Sequence, residues 1–313
     1  MLIGPEEYCI LEIRSRPYRD SDFDAARRLL QETYKLSGVL HNWSLRRWDG
    51  WHYHRADLSE KDTSCFVVWE NENDEMIGLL HPEYEGSAFI EIHPAYRHIE
   101  EEMIIAAEEC LPVNLNGGFE RRLHFWVYET DIERQKLLEN RNYDASPNFG
   151  YKRYRKLAKT IAQVSLAEGY QIRPMCFDAD DCEKMANLLN AAFGRSFHSG
   201  KEYANFQTAP CYRPELDLVV VAPDGTFAAT AGVTIDELNN YAEFEPVCTH
   251  PEHQRKGLAR AVMAAGLRNL RRLGIKKVYV GAGDNPPANA LYVHMGFTSA
   301  EKVRLWQKIW RNE

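Results

Sequence analysis

From Val247 to Arg260 the chain reads VCTHPEHQRKGLAR, and this stretch holds the residues best suited to binding chemistry. A β-patterned run breaks at Pro251, and a helix pattern begins about Gly257 and runs to Leu273. Gln254 to Ala259 therefore sit where strand becomes helix. The first turn of a helix carries unpaired N–H groups and about half a positive charge, which suits a pyrophosphate. Gly257 and Ala259 permit close backbone approach, and Arg255, Lys256 and Arg260 add cationic side chains for phosphate oxygens.

The run Gln254-Arg255-Lys256-Gly257-Leu258-Ala259 resembles the [QR]-x-x-G-x-[GA] signature of the GNAT superfamily of acetyltransferases. A second motif follows in the expected order: Asn285, Ala288, Leu291-Tyr292 and Gly296-Phe297 resemble the family's N-x-x-A-x-x-L-Y-x-x-x-G-F. The resemblance implies an N-acetyltransferase that uses acetyl-CoA as co-substrate and needs no metal. It implies that backbone groups of Val247 and Thr249 pair with the pantetheine amides like an added strand. An N–H of that strand would stabilise the tetrahedral oxyanion. Amides of residues 255 to 260, including those of Leu258 and Ala259, would hold the pyrophosphate. Asn285 would contact the cofactor arm, and Tyr292 would protonate the departing thiolate.

Acetyl transfer to an amine needs the amine neutral. An amine of pKa about 10.4 is protonated at pH 7, at a cost of about 4.6 kcal/mol. Glu243 and Glu245 stand on the strand before the first motif and share one face of a regular strand. Pro246 removes a ladder donor and marks an edge, bulge or splay. Counting back from Pro251, Glu243 is the better match for the family's base, with Glu245 the alternative. The rival reading is a non-catalytic acyl-CoA-binding regulatory module.

The elements that must position these residues occur twice. Arg16-Pro17 and Arg173-Pro174 each open an Asp-rich stretch and an apolar-periodic helix, 157 residues apart. Ile92-His93-Pro94 and Thr249-His250-Pro251 repeat that offset, and Asn142-Tyr143 matches Gly296-Phe297 at 154. Such self-similarity reads as a tandem duplication with its junction near residues 158–169. Each half runs strand, helix, antiparallel strands, strand, long helix, strand, short helix, strand. That order predicts an α/β protein (an α+β mixed sheet flanked by helices) made of two tandem GNAT-like modules, 1–160 and 170–313.

The first half keeps the spacing and loses the chemistry. Glu100 and Glu102 occupy the glycine positions, where each carboxylate would cost about 1 kcal/mol beside a phosphate in water and more if desolvated. Asp131, Arg134 and Leu138 replace the asparagine, alanine and tyrosine of the second motif. The first module is expected to be structural or substrate-shaping, without acyl-CoA.

Composition bounds the rest. A net charge of -8 argues against nucleic acid as a partner. No apolar run approaches the roughly 18 residues that span a bilayer, and the N-terminus lacks a signal-peptide pattern, so a cytoplasmic location is the expectation. Seven cysteines without a CxxC pair read as reduced thiols. Trp43, Trp48 and Trp51 with His41, His52 and His54 read as packing rather than as a metal site. Phe197, His198, Tyr203, Phe206 and Tyr212 fall where the acceptor site is shaped in GNAT folds. Arg268, Arg271 and Arg272 read as a solvated helix face. The expected partner is a small-molecule amine, with neither nucleic acid nor membrane, and the chain a monomer or homodimer.

Overall fold

Arg16 and Arg173 open the two halves with the same device. The Arg16 guanidinium grips both oxygens of Asp22 at 2.7 and 3.0 Å, and Arg173 grips Asp181 at 2.5 and 2.7 Å. Each aspartate also accepts a backbone N–H, from Arg19 and Cys176, at 2.8 Å. Bidentate pairing of this kind pins the chain where strand turns into helix.

The computed structural model describes residues 13–54, 63–157 and 161–311. The start of the expected junction, 158–160, lies outside them. The first half contains β1 (Arg14–Pro17), α1 (Phe23–Ser37), α2 (Leu45–Tyr53), β2 (Val67–Glu70), β3 (Met76–His81) and β4 (Ser87–Ile92). It continues with α3 (Glu100–Cys110), β5 (Val113–Leu115), β6 (Glu120–Tyr128), α4 (Ile132–Asn140) and β7 (Asp144–Lys156). The second half repeats the order as β8 (Gln171–Pro174), α5 (Ala179–Phe193), α6 (Gly200–Phe206), β9 (Leu218–Val221) and β10 (Phe227–Asp236). It closes with β11 (Tyr241–Thr249), α7 (Leu258–Arg272), β12 (Lys277–Gly283), α8 (Pro286–His294) and β13 (Ser299–Arg311).

Two compact units result. One comprises Met1–Asn42, Asp62–Phe125 and Gln307–Glu313; the other comprises Trp43–Lys61 and Trp126–Trp306. An even division at residues 160–170 would leave α2, α4 and β7 with the first module, whereas the compact units group them with the second. For β7 the cause is backbone pairing: it runs antiparallel to β12 from Gly150↔Gly283 to Lys156↔Lys277.

In the first unit the strand order is β1-β2-β3-β4-β6, with β5 on β6. Its helices α1 and α3 bury Ala26, Leu29, Met103 and Ile104. In the second unit the order is β13-β7-β12-β11-β10-β9-β8. There α7 buries Leu258, Val262, Leu267 and Leu270 with Phe244, Val278 and Val280 of the sheet. Fully burying a leucine is worth about 1.5–3 kcal/mol, so this stripe holds the helix that carries the glycine motif.

The cysteines depart from expectation. Cys65 and Cys110 form a disulfide, so the set is not uniformly reduced. The turn before β2 and the end of α3 meet there, with Cα atoms 5.7 Å apart, a proximity that 45 residues of separation conceal in the sequence. Cys176, Cys182, Cys211 and Cys248 are not disulfide-bonded. No helix among the described residues is long and apolar enough to cross a membrane.

Candidate active site

Two strands of the second unit part company at the centre of the sheet. β11 pairs in parallel with β12 from Tyr241↔Lys277 only as far as Phe244↔Val280. Beyond that point β12 continues against β7, while β11 continues against β10 through Thr249. A bulge lies at the parting: Glu245 and Pro246 together face the single residue Gly232. The His250 N–H donates to the Ala228 carbonyl on β10, and Cys248 lies opposite Thr230. Backbone polar groups alternate sides along a strand, so those of Val247 and Thr249 point away from β10, into the gap.

The glycine motif borders this gap. Arg255 and Gly257 both adopt left-handed backbone conformations, at φ +63° and +75°. Gly257 is the N-cap of α7 and offers no side-chain cap, leaving the first-turn N–H groups free for a ligand. Gln254, Arg255, Lys256 and Arg260 are exposed, Leu258 is buried and Ala259 is half-buried. Lys256 donates to the Tyr170 hydroxyl at 2.8 Å, and that hydroxyl lies 2.9 Å from His253 Nδ1. A cleft of about 130 Å³ continues from this turn, lined by Arg155, Arg260, Ala264, His294 and Met295 among others.

The two glutamates differ in exposure. Glu243 is 1% exposed and ion-paired with Lys152 of β7, whereas Glu245 is exposed at the bulge. Burial alone would raise the Glu243 pKa. The Lys152 charge and hydrogen bond outweigh it and hold the carboxyl below the usual range, while Lys152 is raised against its own burial by Glu243. The Glu245 carbonyl accepts from Arg46 Nε at 3.1 Å.

Tyr292 of α8 is 5% exposed, its ring centroid 6.3 Å from that of Phe297. Burial, then Cys248 and Glu245 of β11, push its hydroxyl up to about 12. Asn285 is the N-cap of α8, its Oδ1 accepting from the Ala288 N–H at 3.1 Å. The N-x-x-A spacing is thus the spacing of a cap, and Asp131 caps α4 through the Arg134 N–H in the same way.

The sequence of this region carries its own family identity. The Acetyltransferase (GNAT) family matches residues 182–297, which hold β9 to β12, the gap, the glycine motif and Tyr292. Residues 182–297 are a GNAT acetyltransferase domain. Over 171 residues the chain is 27% identical to mycothiol acetyltransferase from Nocardioides sp., covering 47% of this chain and 56% of that protein. It is 26% identical over 258 residues to mycothiol acetyltransferase from Saccharomonospora viridis, covering 72% and 78%. The chain therefore spans about half the length of the first of these relatives. The fold is that of a tandem GNAT protein from the clavulanic acid biosynthesis pathway, with a TM-score of 0.63, 13% identity and coverage of 96% and 100%.

Around the GNAT domain stand residues that no motif announced. Arg46 of α2 lays its guanidinium 4.2 Å from the centre of the Phe206 ring and lies 3.2 Å from His54 Nε2. His54 stacks on Phe206 at 4.2 Å, and Asp49 accepts the Cys211 N–H at 3.0 Å. His52 and His54 stand on and just after a helix rather than on a strand. Asp217 accepts the hydroxyls of Tyr203 and Tyr212, each at 2.8 Å. Lys152, Arg46 and Asp217 come from three separate segments, and nothing in their local sequence marks them. Of the remaining candidates, Phe197 is exposed, and His198 lies 3.5 Å from Glu202. Arg268 is half-buried, and Arg271 and Arg272 are exposed.

The first repeat fills its equivalent turn with its own side chains. Glu100 is fully buried at the start of α3 and bonded to Arg97 at 2.5 Å, and Glu102 accepts from Trp69 Nε1 at 2.8 Å. A further cluster, Cys176, Asp178 and Asp181, brings three potential metal-ligand atoms within 4.8 Å. Arg173 already holds Asp181, and Asp178 caps α5, so both carboxylates have structural partners.

Proposed function

We propose that the chain moves an acetyl group from acetyl-CoA to a primary amine on a small molecule by direct attack. The observation that carries this reading is the gap between β11 and β12, bordered by the uncapped first turn of α7. Pantetheine would add to the free edge of Val247 and Thr249 as a strand does. The pyrophosphate would sit on the amides of residues 255 to 260, with Arg255, Lys256 and Arg260 supplying charge. Asn285, its oxygen engaged in the cap, would offer its amide N–H groups to the cofactor arm.

In the reaction the amine nitrogen bonds to the thioester carbon, the C–S bond breaks, and the thiolate leaves. A backbone N–H at the gap stabilises the oxyanion. Of the two carboxylates, Glu245 is the one exposed to receive the amine's proton, whereas Glu243 is buried and paired through Oε1 with Lys152. Tyr292, at about 12 against about 8.5 for a thiol, would give up its proton uphill by about 5 kcal/mol. It serves instead through a hydrogen bond that strengthens as charge grows on sulfur. The relatives' name supports acetyl as the group transferred.

The test is CoA thiol release from acetyl-CoA with a panel of amines, comparing wild type with Tyr292→Phe. Amine-dependent release that falls in the variant supports the reading. Tight CoA binding without amine-dependent release would leave a non-catalytic acyl-CoA-binding module.

A further inference from the structure

Asp217 is 3% exposed, at the foot of β9. Both tyrosine hydroxyls that it accepts reach one oxygen, Oδ2. The other, Oδ1, is buried and has no hydrogen-bond partner. A buried carboxylate oxygen without a donor is costly, so such an atom marks a place where a ligand or water belongs.

Oδ1 faces the bulge of β11. It lies 3.4 Å from where a Cβ on Gly232 would stand, and that point is 3.1 Å from the Glu245 carbonyl oxygen and 3.2 Å from Pro246 Cδ. The absence of a side chain at Gly232 leaves a cavity of about 10 Å³ between Asp217, Tyr203, Tyr212, Glu245 and Pro246. That is room for one water or one ammonium group.

The walls favour the cation. Asp217 Oδ1 and the Glu245 carbonyl are acceptors, and because burial raises the Asp217 carboxyl, an incoming cation that restores its charge gains more than a neutral group would. The nearby guanidinium of Arg46 is already committed to the Glu245 carbonyl, to His54 and to the face of Phe206. A water brings two donors and no charge, whereas a primary ammonium brings three donors and one charge.

We propose that the cavity beside the β11 bulge is the ammonium subsite of the acceptor, with Asp217 Oδ1 and the Glu245 carbonyl as its hydrogen-bond acceptors. It takes a primary ammonium on an unbranched carbon, since each further methyl removes a donor and exceeds the space. Asp217 is then the residue that selects primary amines. This rests on the acetyl-transfer reading for its biological meaning, but the binding site stands on its own geometry.

The experiment measures binding of methylammonium and of tetramethylammonium to the full chain by calorimetry or ligand-observed NMR, and amine KM in acetyl transfer. Wild type is expected to bind methylammonium and discriminate against tetramethylammonium. Asp217→Asn, whose amide oxygen still accepts from the tyrosines, is expected to weaken methylammonium binding about 10- to 100-fold. Amine KM should rise similarly while acetyl-CoA KM is unchanged. Gly232→Ala, which fills the cavity, should act in the same direction. Undiminished methylammonium binding in Asp217→Asn, no binding by wild type, or equal binding of tetramethylammonium overturns the site. Binding without acetyl transfer sinks the transferase reading and leaves the site; transfer with an unchanged amine KM in Asp217→Asn does the reverse.

Discussion

Lys152 of β7 and Glu243 of β11 form an ion pair across the intervening strand β12, joining a residue of the first repeat to the second-repeat strand that carries the bulge. Only 2% of the Glu243 side chain is exposed. Removing one partner of a buried pair leaves an uncompensated charge, so Lys152→Met is expected to lower unfolding free energy by about 3–5 kcal/mol. Lys152→Met with Glu243→Met should recover most of that loss. Urea denaturation of the two variants checks this; a Lys152→Met protein as stable as wild type would remove the pair from the account.

The same pair sets a pH window. Glu243 is held below its ordinary value, so its contribution is present above about pH 4.3 and is lost as pH falls through the folded-state pKa. Lys152 is raised, so its contribution is complete below about pH 10.4 and is lost as pH rises through its folded value. The stability difference between wild type and the Lys152→Met/Glu243→Met protein should be flat between these limits and change outside them. A difference that drifts steadily across neutral pH would count against this assignment.

Gly257→Ala tests the phosphate turn. A left-handed conformation costs an L-residue about 1–2 kcal/mol, and the new methyl stands where a pyrophosphate would approach. The expected result is a small drop in melting temperature with an acetyl-CoA Kd raised about tenfold or more. Gly225→Ala, at φ +84° in the exposed turn between β9 and β10, is the control: similar strain, unchanged Kd.

Tyr292 should remain protonated through the working pH range, since burial carries it to about 12. Tyr292→Phe is expected to lower kcat about 10²- to 10³-fold, the range for losing one preorganised hydrogen-bond donor, with acetyl-CoA KM nearly unchanged. The wild-type kcat profile should show no descending limb near pH 10 traceable to Tyr292; such a limb, abolished by the substitution, would contradict its burial.

Reduction tests the Cys65–Cys110 bond. Opening a cross-link over 45 residues costs about 4 kcal/mol in the loop-entropy account. The melting temperature should fall on reduction, and denatured protein should titrate two further thiols after reduction. Equal thiol counts before and after would show the bond to be absent in solution.

What was readable without coordinates was what adjacent residues decide together. The strand break at Pro251, the side-chain-free position at Gly257 and the helix that follows it are local, so their spacing in the chain is their spacing in space. The Arg-Pro openings and the mixed α/β order were readable for the same reason, and the repeat could be compared with itself. Pro246 signals an interruption of the strand, as an edge, bulge or splay, because a missing N–H is a property of one residue, and the fold makes it a bulge. Which carboxylate is buried is not readable from the two-residue period, since burial depends on Lys152 and the neighbouring strands that cover Glu243.

The remaining features depend on pairing between distant segments. β7 lies against β12 and so carries Lys152 to Glu243, 91 positions away; α2 brings Arg46 to the Glu245 carbonyl, 199 positions away. The Cys65–Cys110 contact and the free oxygen of Asp217 beside Gly232 arise in the same manner. Local side-chain chemistry writes a phosphate-binding turn into consecutive residues. Strand register, set by the packing of the whole sheet, chooses which charges become neighbours, and no run of consecutive residues records that choice.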